Sequence, residues 1–475
     1  MMAPIPVRNP RTGRYDYQIV PPATDALDAL CADLRAAQPA WEAGGVAGRI
    51  AALTEWRRAM IARRDEIVAA LVTDTGRYHE SVLEFESVLA SIERWCRLAP
   101  DLLRYGDSRP SAIPFISIEG RLAPYPLVGV ISPWNFPLLL SLIDALPALL
   151  AGCAVVVKPS EIAPRFIEPL RRSIGDVPAL NAVLQFVAGD GATGVALIDR
   201  VDLICFTGSV ATGRCVAEAA ARRFIPAFLE LGGKDPAIVL AGADIDRAAA
   251  AILWGGTVNC GQSCLSIERV YVEAPVYEQF VETLTARASR LRLAFPDPQS
   301  GEIGPIISVR QAEVIADHLE DAYARGAVAR CGGTIEEHAG GLYCPPTVLT
   351  GVDHTMKVMR DETFGPILPV MPVADVDEAV ALANDSDFGL SAAVFAHDTG
   401  TARAVASRLM AGAVSINDAA LTAIIHDGEK QAFKFSGLGG SRMGPAAINR
   451  FTRKQAMLVN GGSGYDPWWF HGGTL

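Results

Sequence analysis

Leu127-Val128-Gly129-Val130-Ile131-Ser132-Pro133-Trp134-Asn135-Phe136-Pro137 opens the strand–helix alternation of this chain. A short apolar run, long enough for one buried strand, gives way to a turn of Ser, Pro and Asn, then to a helical apolar run over 137–150. The same alternation repeats downstream: 154–157 then 164–174, 183–187 then 191–199, 203–206 then 209–222, and finally 227–231. Short apolar strands separated by helices predict βαβ units and a parallel sheet, hence an α/β fold. Such a sheet gathers ligands at the carboxyl ends of its strands. Chemistry-bearing residues fall just there: Pro133 to Pro137 after the first strand, Lys158-Pro159-Ser160-Glu161 after the second, Thr207-Gly208-Ser209 after the fourth, and Glu230-Leu231-Gly232-Gly233-Lys234 at the end of the fifth.

Upstream, residues 24–43, 47–73 and 78–104 carry apolar residues at helical spacing and predict three scaffold helices. Residues 113–126 alternate around Glu119-Gly120 and predict a β-hairpin. A second α/β series begins near Asp235, with strand-like runs at 237–240, 267–273, 368–373, 392–396 and 413–416 and helices at 275–291, 308–325, 375–384 and 399–410 between them. An extended run at 455–460 precedes a tail containing Trp468-Trp469-Phe470.

The 475 residues suggest two to four domains at roughly 100–200 residues each. A net charge of −11 argues against nucleic acid or an anionic membrane surface as the main partner. Nine scattered cysteines, an odd number, fit a reducing compartment, and residues 1–10 lack the apolar core of a signal peptide, so a cytoplasmic protein is expected. The apolar run 137–157 is broken by Asp144, Pro147 and Gly152, which suits a buried helix and strand rather than a membrane span.

One loop breaks the regularity of the second series: Asn259-Cys260-Gly261-Gln262-Ser263-Cys264. Cys264 is a nucleophile if it ionises, and an inert buried thiol if it does not. Cys260 nearby has no His or Cys pair to complete a metal site, so no metal is expected. Glu230 ends an apolar strand with little polar company; desolvation would raise its pKa and suit a general base, the alternative being a cap for the following turn. The Asn135 amide can donate to an oxyanion or simply shape a turn. Lys158 and Glu161 can meet ribose hydroxyls or form a solvated loop, and a ribose-facing Glu161 would repel a 2′-phosphate, favouring NAD over NADP. Gly208 and Ser209 open a helix where a phosphate could sit, or where Ser209 is only an N-cap.

Pro-Trp-Asn-Phe-Pro at 133–137, Lys-Pro-Ser-Glu at 158–161, Phe-Thr-Gly-Ser at 206–209, Glu-Leu-Gly-Gly-Lys at 230–234, Gly-Gln-Ser-Cys at 261–264 and Glu-Thr-Phe-Gly-Pro at 362–366 resemble the signature stretches of the aldehyde dehydrogenase superfamily, in its order and spacing. The resemblance spans about residues 20 to 460. It implies a Rossmann-like cofactor domain (1–112 and 127–232), an α/β catalytic domain (233–444) and a small β oligomerisation element with a tail (113–126 and 445–475). It implies that Cys264 attacks an aldehyde, that the Asn135 amide and the Cys264 backbone N–H hold the oxyanion, and that hydride transfer leaves a thioester which water activated by Glu230 hydrolyses. Members that pass the acyl group to coenzyme A generally lack this glutamate, so Glu230 favours the free acid.

For the cofactor, NAD with NADP possible, the resemblance places Lys158, Ser160 and Glu161 on the adenosine ribose and Ser209 on the pyrophosphate. Trp134 lines the cleft, and Glu362 and Phe364 meet the nicotinamide ribose and ring. Ile131, Ser132, Pro133, Gly191, Phe206, Thr207, Gly208, Leu231 and Gly232 complete the site. Leu140, Ile143, Leu265 and Leu438 would line the substrate tunnel; none is cationic, which favours an apolar or aromatic aldehyde. A small aliphatic aldehyde or semialdehyde, a non-redox thiol esterase and a structural member of the fold are the alternatives. Residues 417–436 depart from the family's compact form, with Asp427, Glu429 and Lys430 charged. The edge strands imply a homodimer or homotetramer, and Trp468-Trp469-Phe470 either packs across a subunit interface, caps a neighbour's tunnel or packs on its own chain.

Overall fold

Leu127–Ile131, Ala154–Lys158, Leu184–Phe186, Leu203–Thr207 and Ala227–Glu230 pair in parallel. The structure, a computed structural model, describes residues 3–104, 106, 108–462 and 468. Every residue of Leu127–Ile131, Ala154–Lys158 and Leu203–Thr207 is buried, because helices cover both faces of the sheet; this is why these strands are apolar throughout rather than alternating. The order across the sheet is Gly437–Leu438, Ala227–Glu230, Leu203–Thr207, Leu127–Ile131, Ala154–Lys158, Leu184–Phe186. The chain therefore runs outward from Leu127–Ile131 in one direction and then returns to lay Leu203–Thr207 on its other side. The crevice at that reversal lies outside Ile131 and Thr207, the place where open α/β sheets take ligands.

A second, seven-stranded sheet runs Val328–Cys331, Thr347–Thr350, Ile367–Val373, Ile267–Glu273, Asp235–Val239, Ser391–Phe395, Ala413–Ile416, parallel except at its first member. Val328–Cys331 and Thr347–Thr350 were not expected from the sequence; each has four residues and lies close to Gly or Pro, so neither shows a long apolar run. Each sheet packs its own apolar residues, the first around Leu146, Val156 and Ile204, the second around Ile252, Val270 and Val394. The chain crosses back near its end. Gly437–Leu438 pairs antiparallel with Ala227–Glu230, and Ala447, Ile448 and Phe451 join the first core, so the first sheet draws on residues on both sides of position 444.

The expected helix over 47–73 is two helices, Gly45–Ala62 and Arg64–Thr75, parted at Arg63. The apolar run 137–157 forms Pro137–Leu142, Ala145–Ala151 and the strand Ala154–Lys158, with Asp144 between the helices. Among the described residues no helix is long and apolar enough to cross a membrane. The hairpin expected over 113–126 is instead one strand, Ile116–Pro124, with Gly120 opposite Ala456 inside its ladder. The turn lies earlier, where Arg109–Pro110 folds back onto Ser117 and Ile118. Alternation around a Glu-Gly pair suits a turn equally well, and the strand's real partner, Thr452–Asn460, is too far along the chain to show in local pattern.

Candidate active site

A cavity of about 140 Å³ occupies the crevice at the sheet reversal. Pro133, Trp134 and Asn135 line it from the end of one central strand and Thr207, Gly208 and Ser209 from the end of the other. Leu231 and Gly232 add the wall beyond Glu230; Leu140, Cys264, Glu362, Phe364 and the unanticipated Gln311 complete it. Residues from six separate stretches of sequence thus meet around one thiol.

The thiol loop is built under backbone constraint. Asn259, Cys260 and Gly261 take φ values of 57, 56 and 66°, three consecutive residues in the left-handed region. For the two non-glycines that conformation persists only if the surroundings fix it. They do. Asn259 Nδ2 donates to the carbonyls of Asn135 (3.0 Å) and Gln262 (2.9 Å), and its backbone N–H donates to Glu80 Oε1. Gln262 Nε2 donates to Asn259 O (3.0 Å), and its Oε1 accepts from Ile307 N (2.9 Å). A Cβ on Gly261 would sit 2.3 Å from Gly365 O, so glycine alone lets this loop lie against the 362–366 turn. A Cβ on Gly233 would lie 2.2 Å from Cys264 O, which fixes the loop on its other side.

Asn135 is buried, and its Nδ2 donates to Gln262 O at 3.0 Å, which leaves its second amide N–H for an acceptor in the cavity. Arg77 donates to Asn135 O and stacks on Phe136 with its guanidinium 4.5 Å from the ring centroid. Glu84, opposite Arg77, accepts from Leu139 N at 2.8 Å. Sequence reading treated the segment around Arg77 and Glu84 as plain scaffold. Their signal was two charges on the inward face of an amphipathic helix and its approach, where charge survives only with a partner.

Cys264 is partly open to the cavity. Burial pushes its thiol up to about 12; Glu230 adds to the rise, Lys430 opposes it, and Glu362 and Asp235 add further. The resting group is therefore a thiol, and attack needs a base to take its proton. Cys260 is in the second core with its Sγ toward Cys344 O, and burial raises its thiol well above the usual range. Among the described residues no group of three or more His, Cys, Asp or Glu is placed to hold a metal ion.

Glu230 differs from the expectation of a carboxylate with little polar company. Its Oε1 receives the Lys430 ammonium at 3.0 Å, and both side chains are largely buried. Lys430 belongs to the segment 417–436 and reaches Glu230 across a chain separation of 200 residues, which local sequence pattern cannot reveal. Arg442 follows, donating to Asp144 Oδ2 (2.6 Å) and to Thr207 Oγ1. Neither Glu230 nor Lys430 is among the residues lining the thiol cavity.

Leu140 lines the cavity, while Ile143 and Leu265 are buried. Leu438 does not line it: it is 59 % exposed, on the edge strand paired with Leu229, so a tunnel role for Leu438 does not fit this placement.

Glu362 accepts from Gly233 N at 2.8 Å, and burial raises its carboxyl to about 8. Glu268 accepts from Thr363 N (2.7 Å), Phe364 N (2.8 Å) and the Lys234 ammonium (2.7 Å), so a buried ion pair holds the turn that presents Glu362 and Phe364. Phe364 meets Trp134 edge to face at 5.5 Å between centroids.

The remaining expected residues lie close by. Ser132 Oγ pairs with Ser141 Oγ, and Ile131 and Phe206 are buried at their strand ends. Lys158 Nζ lies 3.3 Å from Glu161, Ser160 Oγ accepts from Ile162 N, and the helix Gly191–Ile198 passes beside Ile131 and Lys158. Ser209 caps the helix Val210–Arg223, accepting from Thr212 N. The residues fit a dinucleotide: a 14-residue helix opens onto the crevice, and the bare backbone at Gly232, where a Cβ would meet Glu362 at 2.6 Å, lets a flat group approach.

A thiol, an amide donor and a crevice at the strand ends opened by a helix N-terminus define a thiol-dependent oxidoreductase. The chain belongs to the aldehyde dehydrogenase family, whose model matches residues 2–457, and its reaction is the oxidation of an aldehyde. A solved chain from Anabaena variabilis, provisionally named an aldehyde dehydrogenase, is 60% identical with a TM-score of 0.97, covering 98% of this chain and 100% of its own. Betaine aldehyde dehydrogenase of Staphylococcus aureus, solved with NAD+, is 28% identical at a TM-score of 0.91, covering 98% and 94%. Among curated relatives, 4,4'-diapolycopene aldehyde oxidase of a Methylomonas species is 41% identical over 80% of this chain and 71% of its own length. A Mycobacterium tuberculosis protein provisionally named a succinate-semialdehyde dehydrogenase [NADP(+)] is 35% identical over 94% and 87%.

Proposed function

We propose that the chain oxidises an apolar or aromatic aldehyde to its carboxylic acid, with NAD, or in its place NADP, as the acceptor. The observation that carries this reading is the meeting of Cys264 with Asn135, Trp134, Glu362 and Phe364 around one cavity at the sheet reversal. Cys264, as its thiolate, attacks the aldehyde carbon. The free Asn135 amide N–H and the Cys264 backbone N–H receive the negative oxygen. Bound in the crevice, the dinucleotide supplies a hydride acceptor; Lys158, Ser160 and Glu161 hold its adenosine ribose, Ser209 its pyrophosphate, and Glu362, Phe364 and Trp134 its nicotinamide end. Glu230 then removes a proton from the water that attacks the thioester, and the acid leaves as the thiol is restored.

Leu140, which lines the cavity, supports an apolar substrate. Nearby cations are engaged: Lys430 with Glu230, and Arg442 with Asp144. The Methylomonas relative, named for a polyene aldehyde, favours the same class. The second reading, a semialdehyde, has the mycobacterial relatives behind it.

An aldehyde panel offered with NAD and with NADP, read at the NADH absorbance band, tests the assignment; a semialdehyde outpacing every apolar aldehyde overturns the substrate class. Glu230→Gln is expected to keep a first-turnover burst of reduced cofactor and to stall in the steady state. Loss of the burst together with turnover removes Glu230 from the deacylation step alone.

A further inference from the structure

Lys430 is buried, and its ammonium bonds Glu230 at 3.0 Å. Its backbone N–H donates to Ser441 Oγ at 2.9 Å, and Ser441 Oγ donates in turn to Met443 O at 2.7 Å, which pins the residue beside Glu230. Its position also lines a second cavity, open to solvent, shared with Glu429, Gln431, Ser441 and Arg450. Four ionisable groups bear on the Cys264 thiol: Glu230 at the end of its strand, Lys430, Glu362 on the facing turn and Asp235 at the start of the second sheet. Three are acidic. Arg442 is committed to Asp144 and Thr207, and Lys234 to Glu268 and Thr363, which leaves Lys430 as the cation bonded to Glu230.

We propose that Lys430 is a positioning residue of the reaction: its ammonium fixes the Glu230 carboxylate in place and offsets that carboxylate's charge beside Cys264, so that the thiol ionises while Glu230 stays anionic. This rests on the assignment of Cys264 as nucleophile and Glu230 as base. Without Lys430 a Cys264 thiolate would face the uncompensated charge of the Glu230 carboxylate, and like charges disfavour each other's ionisation. An apolar side chain at 430 would leave Glu230 free to turn; an arginine would keep the charge.

Iodoacetamide alkylation of Cys264 in the cofactor-free protein, followed against pH with the modified residue identified by mass spectrometry, reads the thiolate without any turnover. Lys430→Met is expected to lower the rate near neutral pH by about tenfold, the thiolate loss that one unit of thiol pKa represents, and Lys430→Arg to restore it. Glu230→Gln, which leaves the cation unopposed, is expected to raise the rate above the parent, and the Glu230→Gln, Lys430→Met double variant to lose that gain. The double variant also serves if the single Lys430→Met fails to fold, since it strands no charge. Equal rates in Glu230→Gln and the double variant overturn the proposal, as does a folded Lys430→Met protein with the parent's pH profile. Cys264→Ser separates the two levels: retained aldehyde oxidation there would overturn the nucleophile assignment itself, whereas an inactive Cys264→Ser beside an unresponsive Lys430→Met overturns the role of Lys430 alone.

Discussion

Asp144 ties the end of the chain to its middle. It is buried between the helices Pro137–Leu142 and Ala145–Ala151 and receives Arg442 at 2.6 Å and Arg450 at 2.7 Å. Burial alone would raise its carboxyl; the two guanidinium groups overcome that and hold it down at about 2, below the ordinary 3.8. A folded-state pKa below the unfolded one stabilises above the unfolded value, and that stability is lost as pH falls through it toward the folded value. Asp144→Asn is therefore expected to flatten the acid limb of stability between about pH 4 and pH 2. It is also expected to cost about 3–5 kcal/mol near neutral pH, because two buried guanidinium groups lose their counter-charge. Denaturant titrations across that range check both. From sequence, Asp144 was an interruption in an apolar run and nothing more; its partners lie 298 and 306 residues away. Glu268 is a similar case. A carboxylate beside Arg269 in a strand otherwise buried and apolar signals that partners exist, but Lys234, Thr363 and Phe364 become visible only in the folded chain. Cys264, Asn135 and Trp134 were legible because they sit in compact motifs next to strand ends. Lys430 was not, because its partner comes from tertiary folding.

At the scale of elements, strand–helix alternation was readable because it is a local property: burial on both faces writes an unbroken apolar run, and a helix writes its own period. The thiol turn was readable as a break in the strand–helix pattern but not as constrained. Two non-glycine residues in the left-handed region cost on the order of 1–3 kcal/mol each, and the hydrogen bonds from Asn259 and Gln262 offset that. Gly261→Ala tests how far the turn depends on its contact with Gly365. The added methyl would meet backbone atoms at 2.3 Å, so the 259–264 turn or the 362–366 turn must shift. Either shift moves Cys264 relative to Asn135 or Glu362. A displacement of about 1 Å at a reacting group costs on the order of a hundredfold in rate. The variant is expected to fold, by circular dichroism, and to lose about that much in kcat; a kcat within a few-fold of the parent would falsify the claim that this contact sets the thiol's position. The hairpin expected over 113–126 failed for the opposite reason, since the alternation was real but its pairing was non-local.

For the whole molecule, the unresolved pairing is that of the outer sheet. Thr452–Asn460 is the edge strand of a three-stranded sheet, and Met457, Leu458 and Val459 are 41, 69 and 42 % exposed on it. Ile116–Pro124, its neighbour, is also only partly covered. Apolar side chains on both faces of a bare-edged sheet invite association, and covering such an edge is one way natural chains protect it. We infer that a second copy of the chain does so. Trp468 packs nearby, stacked on Phe115 of its own chain at 5.9 Å; Trp469 and Phe470 lie outside the described residues. Met457 and Val459 share one face of the strand and Leu458 takes the other, since strand side chains alternate. Replacing Met457 and Val459 with Glu puts two like charges on that face of each chain while leaving the ladder to Ile116–Pro124 and both cores intact. Sedimentation velocity is expected to show the double variant shifted toward the mass of a single chain, with Leu458→Glu reporting on the opposite face. The thiol cavity draws on neither residue, so alkylation of Cys264 is expected to stay at the parent rate in any dissociated variant. A parent protein that sediments as a single chain at micromolar concentration, or a double variant that holds the parent's assembly, would show that this face is not the one a second copy covers.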